Sequence, residues 1–144
     1  MNWILLAVLT AFCFGLYNFF IKVASGSIHQ ILGAVILQII AAVVGGGLLI
    51  YLKWIGQSFA VTDRGIAYSV LAGVAVGLAE ILTFVVFSKN IPASVGTPII
   101  IGGSVIVTAL LGWFFLKESL TGIQILAILL IVSGVGLLTV GAKH

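Results

Sequence analysis

Apolar residues run along this chain in five long stretches, at about 3–24, 30–52, 66–88, 93–115 and 122–141, separated by short polar segments. Each stretch holds roughly 20–23 residues, or about 30–34 Å of helix at 1.5 Å per residue, enough to cross a hydrocarbon core. The pattern predicts an all-α integral membrane protein of five transmembrane helices, taken as one domain over residues 1–144. The connections 25–29, 89–92 and 116–121 are short, so neighbouring helices run antiparallel. The connection 53–65 is the longest and most polar, with room for a half-helical segment along the interface. Five is an odd number of crossings, so the two termini fall on opposite faces. No internal repeat is visible.

Local signals mark the ends of these stretches. Ser27-Ile28-His29-Gln30 and Thr121-Gly122-Ile123-Gln124 both fit a capping box, each at the expected start of a span. Asn90 and Pro92 read as the cap and early-turn residue of the fourth span. Trp3, Trp54 and Trp113 all fall on the face where the chain begins, with Tyr51 and Tyr68 near them, as in an aromatic interface belt.

The polar exceptions inside the spans carry the candidate chemistry. Glu80 is the sole acid well inside a span. Gly73, Gly77, Glu80 and Phe84 share one helical face, as do Ala11, Gly15, Asn18 and Lys22 in the first span and Ala34, Gln38, Ala41 and Gly45 in the second. Small residues on such faces mark close helix packing in membranes, so Glu80 is expected to point into the bundle. Asn18, Gln38 and Glu80 lie at a similar depth, roughly 10–12 Å from the face opposite the N-terminus, and Thr97 and Pro98 come close to that level. Lys22 starts nearer that face but leans back along its helix toward Glu80. Each charged group at such a depth costs about 2.5–3.5 kcal/mol, which makes intramembrane ionisable groups functional candidates. The bland alternatives are a structural Lys22–Glu80 clasp, interhelical glue for Asn18 and Gln38, and a snorkelling Lys22. Pro98, before the Gly102-Gly103 pair, removes a backbone hydrogen bond in mid-span and predicts a bend.

Composition narrows the field. With 62% hydrophobic and 6% charged residues, the chain cannot cover a soluble surface. Its net charge of +3 comes from basic residues scattered singly at span ends, which does not indicate nucleic acid. Cys13 is the single cysteine and cannot form an intramolecular disulfide. The first span has no basic region before it and no small-residue cleavage site, so it is expected to be retained and not removed as a signal peptide. His29 lies in a connection and His144 at the tail, neither with metal-ligand company. No nucleophile–base pair or phosphate loop is visible, so neither a cofactor nor a metal nor an enzymatic activity is expected. Lys117 and Glu118 read as a solvated interfacial pair.

The basic residues also speak to orientation. Lys53, Arg64 and Lys117 fall on the face where the chain begins, and Lys22, Lys89 and Lys143 on the other. Orientation follows the excess of Lys/Arg on one side. A balance of three against three gives almost no instruction, and three against two remains if Lys22 belongs to the buried layer. The chain is thus expected to insert both ways and pair antiparallel with itself.

The tail WFFLKESLTGIQILAILLIVSGVGLL (113–138), with Glu118, Thr121, Gln124 and Gly134, resembles the C-terminal end of an EamA domain of the drug/metabolite transporter superfamily. The opening FGLYNFFIKVAS (14–25), with Lys22, and the segment SKNIPASVGTPIIIGG (88–103) are similar to the first helix and the fourth-helix region of that domain. Typical members carry two such domains as inverted halves around a cavity, whereas this chain matches one. The resemblance implies one half of an inverted-repeat transporter, working as a dimer in the inner (cytoplasmic) membrane. The related four-span small multidrug resistance proteins keep their essential glutamate in the first helix, which here has Lys22 and no acid.

These readings converge on a secondary transporter of small metabolites or drug-like molecules, an antiparallel homodimer with alternating access. Glu80, Lys22, Asn18, Gln38 and Thr97 are the expected substrate- or proton-binding residues, and Pro98, Gly102 and Gly103 the bending or gating positions. The alternatives are a small dual-topology channel or a non-transporting membrane assembly subunit.

Overall fold

The computed structural model describes residues 2–141; Lys143 and His144 lie outside the described residues. Among these, five helices are long and apolar enough to cross a membrane: α1 (Trp3–Ser25), α2 (Gln30–Trp54), α3 (Asp63–Ser88), α4 (Ala93–Phe115) and α5 (Gly122–Gly141). The fold is all-α, as the hydrophobic pattern predicts.

Helix ends explain where the boundaries moved. α3 begins three residues before the apolar run because Thr62 caps it, its hydroxyl accepting from Gly65 N–H at 3.1 Å. Asp63 in the first turn complements the helix dipole. α2 runs on to Trp54 and closes on Gly56, at φ 82°, with Gln57 N–H reaching back to Leu52 O at 3.1 Å. The helical part of the 53–65 connection is therefore the extension of α2 and α3 into it, and residues 55–62 are not helical.

The two matching capping signatures behave differently. At α5, Thr121 N–H donates to Gln124 Oε1 at 2.8 Å and Gln124 N–H to Thr121 Oγ1 at 3.4 Å, so the box forms. At α2 it does not: the N-cap is His29, two residues later than Ser27, and its side chain makes no capping bond. Asn90 is likewise not the cap of α4. It sits at φ 63° just after Lys89 ends α3, a left-handed position that asparagine tolerates, and Pro92 stands at the N-cap of α4.

The chain forms two compact units, one up to Asn90 and one from Ile91. In the first, α3 packs against both α1 and α2. Every buried residue of this unit lies toward one end: Asn18, Ile21 and Ser25 close α1, Gly33 and Ala34 open α2, and Glu80, Thr83, Phe84 and Phe87 close α3. The closest approach is at Gly33, where an added Cβ would meet the Phe84 ring at 2.6 Å. The other end is bare. Ala11, Gly15, Ala41, Gly45 and Gly73 are exposed, and a Cβ at Gly15, Gly45 or Gly73 would meet nothing within 4 Å. The small-residue faces read from sequence are thus packed within the chain along half their length.

In the second unit α4 lies against α5. Gly102 is buried, and a Cβ there would collide with the Val135 side chain, so glycine is what permits the contact. α4 runs as one helix from Ala93 to Phe115 with Pro98 inside it.

Candidate functional site

The packed end of the first unit gathers its polar side chains around α3. Glu80 is 7% exposed although it sits mid-helix among apolar residues. The Tyr17 hydroxyl, from α1, donates to its Oε2. From α2, the Gln38 amide lies over Gly77, with its nitrogen 3.6 Å and its oxygen 3.7 Å from where a Cβ would stand. Gly77 is one turn before Glu80, and the amide stands at ordinary van der Waals distance from this stretch of the helix. α1 and α2 thus both bring a polar group to the same stretch of α3.

Asn18 is buried but turns inward on its own helix, its Nδ2 donating to Phe14 O at 2.8 Å. Thr83 does the same to Ala79 O at 2.8 Å. Lys22 takes a partner other than Glu80: its ammonium donates to the Phe87 carbonyl at 3.1 Å. The last carbonyls of a helix have no intrahelical partner and carry the negative end of its dipole, so a lysine there is stabilised. Ser25 Oγ donates to Lys22 O at 2.8 Å and tightens the end of α1. Among the described residues, no buried side-chain nitrogen or oxygen lacks a partner, and no group of three or more His, Cys, Asp or Glu is placed to hold a metal ion.

The second unit holds Thr97, Pro98, Gly102 and Gly103. Thr97, Pro98 and Gly102 line a groove of about 790 Å³ with Ile131, Gly134 and Val135 of α5. Gly102 serves packing, while a Cβ on Gly103 would meet nothing within 4 Å. At the far end of α4, Lys117 is at φ 53° and Glu118 turns back, its N–H on Gly112 O at 3.1 Å. The Glu118 carboxylate then covers Gly112, with Oε2 2.6 Å from an added Cβ. The Lys117–Glu118 segment is a tight helix exit, closed by the Glu118 N–H on Gly112 O.

Tyr17 is the residue that the hydrophobic pattern passed over. Its signal was present: a phenol in mid-span needs a hydrogen-bond partner, and Asn18 beside it already marked that level of α1 as polar.

Five apolar helices with an acid held inside them define a multi-pass membrane protein. The model of the EamA-like transporter family matches residues 1–140, nearly the whole chain. The chain belongs to the EamA-like transporter family, and is in that sense a membrane transporter of small molecules. No curated protein and no solved structure gives a match.

Proposed function

We propose that the chain is a secondary transporter that works as an antiparallel homodimer in the inner membrane, with Glu80 as its central binding group. The observation that carries this reading is Glu80 itself, 7% exposed within a span and held by Tyr17. An ionisable group at that depth is expensive to keep without a use. Glu80 takes a proton or a polar group of the cargo, and Gln38 and Asn18 offer hydrogen bonds nearby. Thr97 is a further polar contact for cargo in the second unit, and Pro98 and Gly103 are places where α4 can bend. Lys22, bound to Phe87 O, secures the packed end.

Two features support pairing with a second copy. The Lys/Arg balance gives little preference for one orientation. The small-residue halves of α1, α2 and α3 are bare, and a partner helix can approach such faces closely. Two inverted copies supply the symmetry on which alternating access rests. One observation favours a non-transporting assembly subunit: the buried polar atoms are already partnered. Against it stands the family, and Glu80 has a neutral partner where a structural clasp would use Lys22.

Orientation is tested by fusing reporters to the C-terminus. Signal from both sides of the membrane supports dual insertion, and signal from one side alone ends the antiparallel homodimer.

A further inference from the structure

Two points tie α1 to α3. The Tyr17 hydroxyl donates to Glu80, and further along both helices the Lys22 ammonium donates to the Phe87 carbonyl at 3.1 Å. Among the described residues these are the side-chain hydrogen bonds that join the two helices. They link residues 63 and 65 positions apart, so α1 and α3 run side by side in one register. On that register Ala11 and Gly15 stand level with Gly73 and Gly77. Tyr17–Glu80 falls where the packed half gives way to the bare half. Lys22–Phe87 lies about 10 Å further along α3, in its last turn.

Toward α2, the packed end leaves α1 room. A groove of about 370 Å³ lies between the two helices there, lined by Phe20 and Ala24 of α1, Ile36 and Leu37 of α2, and Phe84 of α3. α2 is fixed to α3 instead, through the Phe84 ring on Gly33. The end of α1 therefore depends on its hold on α3. The polar part of that hold is one bond from an ammonium to a neutral carbonyl at a helix end. Such a bond can break without stranding a charge, because a lysine at that level can turn its head group to water.

We infer that the Lys22–Phe87 bond is a latch, and that its release lets α1 rock on α3 about Tyr17–Glu80 until Ala11 and Gly15 meet Gly73. The packed end then opens as the bare end closes, and the structure holds the latched state. Lys22 is a positioning residue in this motion. The inference rests on the reading of the chain as a transporter with alternating access. The bare half is shaped for such closure: a Cβ at Gly15 or Gly73 now meets nothing within 4 Å, and small residues let helices come close. A hydroxyl on one carboxylate oxygen suits a pivot, since it survives a modest tilt of the helices that carry it.

The test is thiol labelling of the full chain in lipid nanodiscs, where both membrane faces are open to a water-soluble methanethiosulfonate. Cys13, which is exposed, is first replaced by serine. Single cysteines are then placed at Thr83, 7% exposed in the packed half, and at Gly73 in the bare half. Lys22→Met is expected to label Thr83→Cys about tenfold faster and Gly73→Cys slower by a similar factor, and Lys22→Arg to restore both rates. A merely structural lysine would speed the first and leave the second unchanged. Gly15→Leu meets nothing in the latched state but blocks closure of the bare half, so in that background neither rate is expected to respond to Lys22→Met. The proposal is overturned if Gly73→Cys does not slow, if both sites label faster, or if Gly15→Leu leaves the response intact. Failure of the transporter reading is distinguishable: Glu80→Gln would then carry solute like the unmutated chain while the two labelling rates still changed in opposite directions.

Discussion

The two ends of the α1–α3 unit are built from similar residues and differ in what those residues touch. At one end Gly33 receives Phe84, Gly77 receives Gln38, and Asn18, Glu80 and Thr83 are buried. At the other, Gly15, Gly45 and Gly73 continue the same helical faces with open space around them. Between helices in lipid there is little hydrophobic drive, because lipid tails are as apolar as leucine. Packing and polar contacts decide which surfaces close. The polar groups sit where the chain packs on itself, and the bare end is left for lipid or for another copy.

That contrast can be broken by substitutions at the two ends, read as unfolding in mixed detergent micelles. Phe84→Ala removes a ring that is 3% exposed and is expected to give the largest loss of the set, through the cavity it leaves and the contacts it forfeits. Leu71→Ala on the bare half of the same helix, where the side chain is 63% exposed, should change stability far less. Gly33→Ala forces a methyl against the Phe84 ring and should cost about 1–3 kcal/mol, whereas Gly15→Ala and Gly73→Ala meet nothing within the chain and should be close to neutral for the dissociated single chain. A large effect at Gly15 would show that the bare end is already covered in the folded state. Lys22→Gln removes the cation at the α3 C-terminus and is expected to cost about 1 kcal/mol. The smallest pair sharpens the view of the helix ends: Thr121→Ala loses a formed cap, about 0.5–1 kcal/mol, and Ser27→Ala loses none.

How much the sequence revealed depends on how far each signal reaches. Five spans were legible because an apolar run of 20 residues needs nothing beyond itself. Glu80 was legible as the lone acid within a span, and its inward direction came from Gly77 and Phe84 on the same face. The partners were not legible. Whether Lys22 meets Glu80 or the end of α3 depends on where α1 crosses α3, which periodicity does not encode. Tyr17 stayed hidden for the same reason, since its bond joins residues 63 positions apart. The capping boxes show the limit at short range: Thr121 and Ser27 carry the same spacing, yet α2 starts at Gln30 and leaves Ser27 outside the position from which its hydroxyl could cap. The bare half of each small-residue face escaped because a period of small residues marks a surface able to pack without naming what packs on it.

The central claim is that Glu80 does the binding work of a transporter. It is tested most directly by uptake into proteoliposomes from a panel of amines, amino acids, nucleosides and sugars, comparing the unmutated chain with Glu80→Gln. The account predicts that any solute carried above the level of empty liposomes, in a pH-dependent way, is no longer carried by Glu80→Gln while helix content is unchanged. Uptake by Glu80→Gln at the same rate and with the same pH dependence would contradict it.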